Sequence, residues 1–330
     1  MKQFQLYGLG NALVDIFLEV TDAELESLGF ERGSMRLVEP AEQRELLARF
    51  HNHEPRLVSG GSVANSTIAF SQLGGKAAFL GCVGDDRYGL FYKGEFDHLG
   101  VDIGRPVLFG ETTGTVACLI TPDAERTMRT CLAVSSHLAA KHVDEARLKA
   151  SEWLFIEGYV FANPATGQGA IREAVRIAKG HGVKVAITCS EAFVVQAFGD
   201  AFFEALAQAD LLFCNASEAR AVTGASGAEE AFAHLADRVP SAVVTDGANG
   251  AFVRHAGITA HVPAYPCVPV DLTGAGDMFA GTFLYGVTHG VAADRAARAA
   301  CHLASKVITQ VGARLHEGAR PYWDEHFAAG

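Results

Sequence analysis

The chain has 330 residues, 49% of them hydrophobic and 20% charged, a balance that excludes a disordered or fibrous protein and suits an enzyme-sized globular chain. Its formal charge of −11 opposes nonspecific attraction to nucleic acid or anionic lipid, so any anionic ligand must be caught locally. The 35 glycines follow no collagen period and gather in short phrases such as Gly60-Gly61, Gly74-Gly75 and Gly274-Ala275-Gly276.

In chain order, Leu13–Val20 and Ser34–Val38 read as β structure without an intervening helix, and Ala41–Phe50 and Val63–Leu73 carry helical periodicity. Phe79–Val83 is a short buried strand. Thr113–Thr121 and Thr127–Leu132 again read as β without a helix between them. Trp153–Ile156, Val183–Thr188, Leu211–Cys214 and Val243–Thr245 are further short apolar strands, interleaved with helical patterns at Thr166–Lys179 and Ala228–Ala236. This alternation predicts a parallel sheet covered on both faces. The two β-only stretches suit a small sheet acting as a lid, built from about 13–38 and 107–133 and inserted into one domain spanning 1–330. Cys82, Cys118, Cys131, Cys189, Cys214, Cys267 and Cys301 are widely spaced and form no CxxC, so reduced, mostly buried thiols are expected. The N-terminus leads into an amphipathic strand and no run of 18 apolar residues occurs, which predicts a cytoplasmic protein with no membrane partner.

The strongest phrase runs from Asp271 to Gly281. Small residues precede an apolar-periodic helix, so the N–H groups of Gly274, Ala275 and Gly276 should point out of a helix N-terminus, where orphan donors and the macrodipole favour an anion. Asp277 on the first turn is a candidate base for an attacking hydroxyl, with a glycine-rich helix start as the plainer alternative. Ser59 to Ser66 also ends in a helix. Gly60 and Gly61 allow close approach of a ligand and Asn65 offers donor and acceptor to a diol, against the alternative of a tight turn capped by Ser62. Gly8-Leu9-Gly10-Asn11 is not GxGxxG, because Leu13 stands at the third glycine's place, and Asn11 and Asp15 are hydroxyl ligands or turn formers. Asn215 and Glu218 follow a buried strand; they suit a water-bound Mg²⁺, but a capping box is the better local reading. Thr245 to Ala251, with Gly247 and Gly250, is a hairpin turn or a loop along phosphates. No Walker A sequence, Gly-x-Ser-x-Gly elbow or His-Glu-x-x-His pair occurs, and His51 and His53 read as a solvated helix end.

Three of these phrases, Gly60-Gly61 to Asn65, Asn215 to Glu218, and Asp271 to Asp277, together with a fourth, Gly81 to Asp86 with Gly89, resemble the ribokinase-like (PfkB-type) family of carbohydrate and nucleoside kinases over nearly the whole chain. Gly8 to Ile16, Thr113 to Cys118 and Glu157-Gly158-Tyr159 are most similar to its adenosine kinase branch. The resemblance implies a three-layer α/β/α sandwich with a mainly parallel central sheet and a small β-sheet lid. It implies Asp277 as base, Gly274, Ala275 and Gly276 as anion hole, and Arg126 in the lid near the transferred phosphate. Asn11, Asp15, Gly60, Gly61 and Asn65 would bind ribose, with Met35, Val116, Met128, Leu132 and Tyr159 as neighbours of the base. Asn215, Thr245, Gly247, Gly250 and His302 would lie along ATP, and Asn215 with Glu218 would hold Mg²⁺ through water. Asp271 and Thr273 would border a K⁺ site. Leu272 departs from the family's usual Thr or Ser. The implied activity is transfer of the ATP γ-phosphoryl group to the 5′-hydroxyl of a ribonucleoside, adenosine above all, by a monomer or homodimer. A ribose- or fructose-type sugar kinase, an inosine/guanosine kinase and a noncatalytic nucleoside-binding regulator stand as alternatives.

Overall fold

The computed structural model describes residues 2–104, 107–123 and 125–328. The short apolar runs assemble into a nine-stranded sheet whose spatial order is Ile258–Val262, Ala251–His255, Ser241–Thr245, Leu211–Asn215, Lys184–Thr188, Ser151–Glu157, Phe4–Leu9, Ala77–Leu80 and Val101–Ile103. Pairing is parallel except at one edge, where the first three of these strands form an antiparallel meander. Alternate side chains serve two separate cores. Trp153 and Phe155 pack with Val63, Ile68, Phe283 and Leu303, while Leu154 and Ile156 pack on the other face with Ile171, Val175, Val194 and Phe202. Helices cover both faces, which is why these strands read as continuous apolar runs instead of alternating. The α/β/α sandwich expected from the sequence is present.

A separate five-stranded sheet has the order Met35–Leu37, Arg126–Cys131, Gly114–Ile120, Leu13–Glu19 and Arg56–Gly60. Four strands fall in the expected 13–38 and 107–133 segments; Ala124, within the second, lies outside the described residues. The fifth, Arg56–Gly60, was not foreseen, being short and bounded by polar residues and a glycine pair. Three local readings change. A short helix, Asp22–Ser27, stands between Leu13–Glu19 and Met35–Leu37, where none was expected; Thr21 caps it in a capping box with Glu24. Val107–Leu108 pairs with Val83–Gly84 in a small separate sheet, and Phe79–Val83 is not one strand. It breaks at Gly81, where a Cβ would stand 2.9 Å from both Gly10 O and the Ala12 Cβ, too close for a side chain.

The five-stranded sheet has two unlike faces. Val14, Ile16, Leu18, Ala117 and Leu119 are buried against Leu25, Leu46 and Phe50. The register puts Asp15, Val58, Val116, Thr130 and Leu37 in one row of the opposite face, with Phe17, Arg56, Cys118, Met128 and Met35 in the next. Met35 and Leu37 are 57% and 61% exposed, so this face carries uncovered apolar surface. Six of the cysteines are buried and Cys267 is exposed; all are free thiols. Among the described residues no helix is long and apolar enough to cross a membrane.

Candidate active site

Polar groups collect where the parallel strands end. Asn11 follows Phe4–Leu9, Glu157 closes Ser151–Glu157, Asn215 closes Leu211–Asn215 and Thr245 closes Ser241–Thr245. A crevice at the carboxyl edge of such a sheet is where ligands bind in open α/β folds.

Asp277 sits on the first turn of the helix Ala275–Thr288. Ser62 Oγ donates to its Oδ1 at 2.6 Å and Asn65 Nδ2 to its Oδ2 at 3.0 Å. Desolvation pushes the carboxyl up to about 6, against the pull of these two donors and of the Arg314 cation. A carboxylate so placed is ionised at neutral pH yet basic enough to take a proton. The helix is capped by Gly274 at φ +78°, a left-handed conformation that also leaves no room for a Cβ, which would lie 2.5 Å from Ala313 Cα. Of the three N–H groups expected to be open, that of Ala275 donates to Leu272 O at 3.3 Å. Those of Gly274 and Gly276, and that of Asp277 itself, have no acceptor among the described residues. Gly61, not Ser62, is the N-cap of the helix Ser62–Gln72, which frees the Ser62 hydroxyl for Asp277. Gly61 is obligatory there: its φ is +111° and a Cβ would fall 2.0 Å from Asn11 O.

Asn11 is engaged by the protein itself at both ends of its amide. Its Nδ2 donates to Glu157 Oε1 at 2.7 Å and its Oδ1 accepts from Ser135 Oγ at 3.0 Å. Glu157 is fully buried and also accepts from the N–H of Asn11 and of Val63. This network ties the end of one strand to the start of the Ser62–Gln72 helix, and burial pushes the Glu157 carboxyl up to about 7. Asp15, by contrast, has no hydrogen-bond donor among the described residues and lies against Gly60, where a Cβ would stand 2.7 Å from its Oδ2. Desolvation raises it to about 6. Asn65 is buried, with both ends of its amide engaged by Asp277 and Arg314.

The sheet register brings Asp15, Val116, Met128 and Met35 onto one face. Leu132 lies just past that sheet and lines a cavity of about 510 Å³ with Leu37, Thr130, Ser136 and His137. Tyr159 is partly exposed beside Phe193, and its hydroxyl, raised by burial, also feels Glu191, Glu157, Glu218 and Asp277. Arg126 reaches across from the small sheet to Asp271 Oδ2 at 2.5 Å and to Thr273 Oγ1 at 3.1 Å. Asp271 also accepts from Gly312 N and from Thr273 N and Oγ1. Both its oxygens are thus occupied and a guanidinium already neutralises it, so in this arrangement Asp271 and Thr273 do not fit the K⁺ site implied earlier.

A second and larger cavity, about 630 Å³, opens on the same edge. Thr245, Gly247, Ala248 and Gly250 line it, together with Gly276 and Cys301. The turn is a hairpin, with Thr245 opposite Ala251, and it lines the cavity as well. His302 does not line this cavity. The helix Ala293–Val307 turns Cys301, Ala304 and Ser305 toward it, whereas the His302 ring packs 4.9 Å from Tyr265 and 5.6 Å from His326 on the adjoining side. A step of one residue on a helix rotates a side chain by about 100°, which is why His302 and Cys301 face different sides. Asn215 and Glu218 form the complete capping box, with Asn215 Oδ1 accepting from Glu218 N at 2.9 Å and Glu218 Oε2 accepting from Asn215 N at 2.9 Å. Glu218 is nevertheless buried and pushed up to about 7 by desolvation, an environment that a nearby cation would relieve.

A model of the pfkB family of carbohydrate kinases matches residues 33–318. The chain belongs to this family. It is similar to the crystal structure of adenosine kinase from Sinorhizobium meliloti, at 31% identity over 98% of this chain and 99% of that one with a TM-score of 0.87. It is equally close in shape to a probable sugar kinase protein from Rhizobium etli CFN 42, at 29% identity, the same coverage and a TM-score of 0.87. The ribokinase of Haemophilus influenzae is 29% identical over 78% of this chain and 84% of that protein. This PfkB kinase is therefore an ATP-using phosphotransferase with an alcohol group as acceptor, in a family of nucleoside and sugar kinases with the ribokinase-like fold.

Three residues at the site were not assigned roles from sequence. Ser62 was read only as a possible cap, Glu157 only as part of a phrase, and Arg314 not at all. The signal for Ser62 was its place in the glycine phrase; for Arg314, which reaches the site from far along the chain, there was none.

Proposed function

We propose that this PfkB kinase transfers the γ-phosphoryl group of ATP to the 5′-hydroxyl of a ribonucleoside, adenosine giving AMP. One observation carries the acceptor class: on one face of the small sheet Asp15 pairs with Val116, and Met128, Met35 and Leu37 follow two to three strands further along, a carboxylate for a ribose diol at one end of an apolar strip for a flat base. A sugar, polar all round, would leave that surface without a partner.

In this reading Asp277 accepts the 5′-hydroxyl proton as that oxygen bonds to the γ-phosphorus, and the bond to the bridging oxygen of ADP breaks. The N–H groups of Gly274, Gly276 and Asp277 stabilise the charge on the phosphoryl oxygens, and Ala275 contributes backbone shape more than a free donor. The 630 Å³ cavity takes the nucleotide, with Thr245, Gly247 and Gly250 along it. Glu218 and Asn215 fit a water-bound Mg²⁺, since a buried carboxylate of raised proton affinity favours a cation; such an ion supplies charge neutralisation of the phosphates. The small sheet acts as a lid, and Arg126, held by Asp271 in the structure, turns to the transferred phosphate on closure. Positioning and electrostatics then account for the rate, with water kept out as a competing acceptor.

The test is an ADP-release screen of adenosine, inosine, guanosine, ribose and fructose, comparing kcat/KM. Adenosine should exceed both sugars by at least about tenfold, the scale of one or two lost apolar contacts. Comparable values for fructose and adenosine would overturn the acceptor assignment. Asp277→Asn should lower kcat by about 10²-fold or more while nucleoside binding, followed calorimetrically, stays close to wild type.

A further inference from the structure

We propose that Arg314 is a positioning residue for the acceptor-activating carboxylate, its guanidinium locking the Asn65 amide in the orientation that donates to Asp277. This rests on Asp277 being the base.

The guanidinium is nearly enclosed, with 11% of the side chain exposed. Its Nε donates to Asn65 Oδ1 at 3.3 Å, its Nη2 to the carbonyl and hydroxyl oxygens of Ser59, and its Nη1 pairs with Glu95 at 3.3 Å. Arginine has donors and no acceptor, so it can meet only the oxygen end of an amide. Asn65 Nδ2 is thereby left facing Asp277 Oδ2 at 3.0 Å. The flipped amide would set N–H against guanidinium and oxygen against carboxylate, two mismatches at once. Arg314 thus selects one of two amide states, and that state supplies half of the side-chain donors to Asp277; Ser62 supplies the other.

The support under Arg314 is itself fixed. Gly312 N donates to Asp271 at 2.7 Å, and Ala313 is wedged against Gly274, so the same short loop braces the helix N-terminus that bears Asp277. The charged and titratable groups facing Asp277 are Arg314, Glu157 and Tyr159; those facing Arg314 are Glu95, Asp15 and Tyr92. Arg314 is the cation among them, so its loss moves the proton affinity of Asp277 in one direction, upward.

A purely structural clamp joining Glu95 to Ser59 would change stability or uniform turnover and leave the proton affinity of Asp277 alone. The experiment is therefore the pH profile of kcat/KM for wild type, Arg314→Lys, Arg314→Met, Asn65→Ala and the Asn65→Ala/Arg314→Met double variant, with adenosine as acceptor and ATP saturating. Arg314→Met should move the acidic limb up by about one pH unit, as loss of a charge-assisted interaction requires. Its kcat should fall about threefold at pH 6.5 and recover in large part by pH 8.5, with KM changing less than kcat. Arg314→Lys, which keeps the charge but not the fork, should shift the limb less, and it carries the test if the methionine variant does not fold. In the Asn65→Ala background Arg314→Met should add less than its full single effect, because the intermediary is gone and only the direct pull of the charge is left to lose. An unmoved acidic limb in either folded single variant, or full additivity in the double variant, overturns the proposal. Failure of the base assignment is read separately, as Asp277→Asn retaining wild-type turnover.

Discussion

Ser62 offers the sharpest check on how the protein tunes its candidate base. Its hydroxyl donates to Asp277 Oδ1 at 2.6 Å, one of two side-chain donors holding a carboxyl that desolvation has raised to about 6. A hydrogen bond to a charged acceptor contributes about 1.5–3 kcal/mol, and about 1.4 kcal/mol corresponds to one pKa unit. Ser62→Ala should therefore raise Asp277 from about 6 to roughly 7–8. Because the base works deprotonated, the active fraction at pH 7 falls from about nine-tenths to between a half and a tenth. We expect kcat/KM at pH 7 to drop about two- to tenfold and, at pH 9, to return within about twofold of wild type. An ADP-release assay from pH 5.5 to 9.5 with saturating ATP reads this directly. A uniform drop at every pH, leaving the two profiles parallel, would refute the reasoning, since it would mean that Ser62 acts on geometry and not on proton affinity.

Removing the Glu157 carboxyl as Glu157→Leu strands three buried donors, Asn11 N, Asn11 Nδ2 and Val63 N, and should cost about 3 kcal/mol or more in urea unfolding. Glu157→Gln keeps acceptor capacity and should cost about 1 kcal/mol. The folded Glu157 is raised from 4.5 to about 7, so the folded state binds its proton more tightly than the unfolded chain does. Its stabilisation is fully present below pH 4.5 and is lost as pH rises through 7, by about 3 kcal/mol for the 2.5-unit difference, and Glu157→Gln should flatten that slope in urea melts across this range. Gly61→Ala forces a Cβ against Asn11 O at a left-handed φ and should raise the nucleoside KM at least about tenfold with the ATP KM little changed, as steady-state kinetics would show. Ala304→Phe, on the wall of the larger cavity, should do the reverse, raising the ATP KM about tenfold while the nucleoside KM holds.

Much of the architecture was legible because burial on both faces leaves a plain trace: Trp153–Ile156 and Leu211–Cys214 are apolar at every position, and two cores take their alternate residues. Arg56–Gly60 left no such trace. It is an edge strand with Arg56 exposed, and its inclusion depends on antiparallel pairing with Leu13–Glu19 that no local pattern announces. At the site, glycines told most. Gly61 and Gly274 each occupy a positive φ with backbone pressed against the missing Cβ, so the requirement is local and shows in the sequence. Asn11 is ambiguous from sequence because a polar residue at a strand end looks the same whether it faces a ligand or holds a neighbour; in the folded chain it bonds Glu157. His302 stands one residue along from Cys301 on a helix whose every third or fourth position faces the cavity, a difference that only the folded helix displays. Arg314 was invisible because its partners Ser59, Asn65 and Glu95 lie far away along the chain, and only the folded structure brings them together.

The small sheet is complete by Cys131, whereas the walls of the larger cavity begin at Thr245. The surface proposed for the acceptor and the surface proposed for the nucleotide are therefore written in different halves of the gene, and change in one half can remodel its pocket while the other is inherited intact. Such a division makes it unsurprising that a single family holds kinases of both nucleosides and sugars. Where the halves meet, they do so through particular side-chain bonds: Ser62 and Asn65 with Asp277, Arg126 with Asp271, and Arg314 with Ser59. Chimeras that exchange the first half between family members should fail or succeed according to whether these few pairs are carried across together.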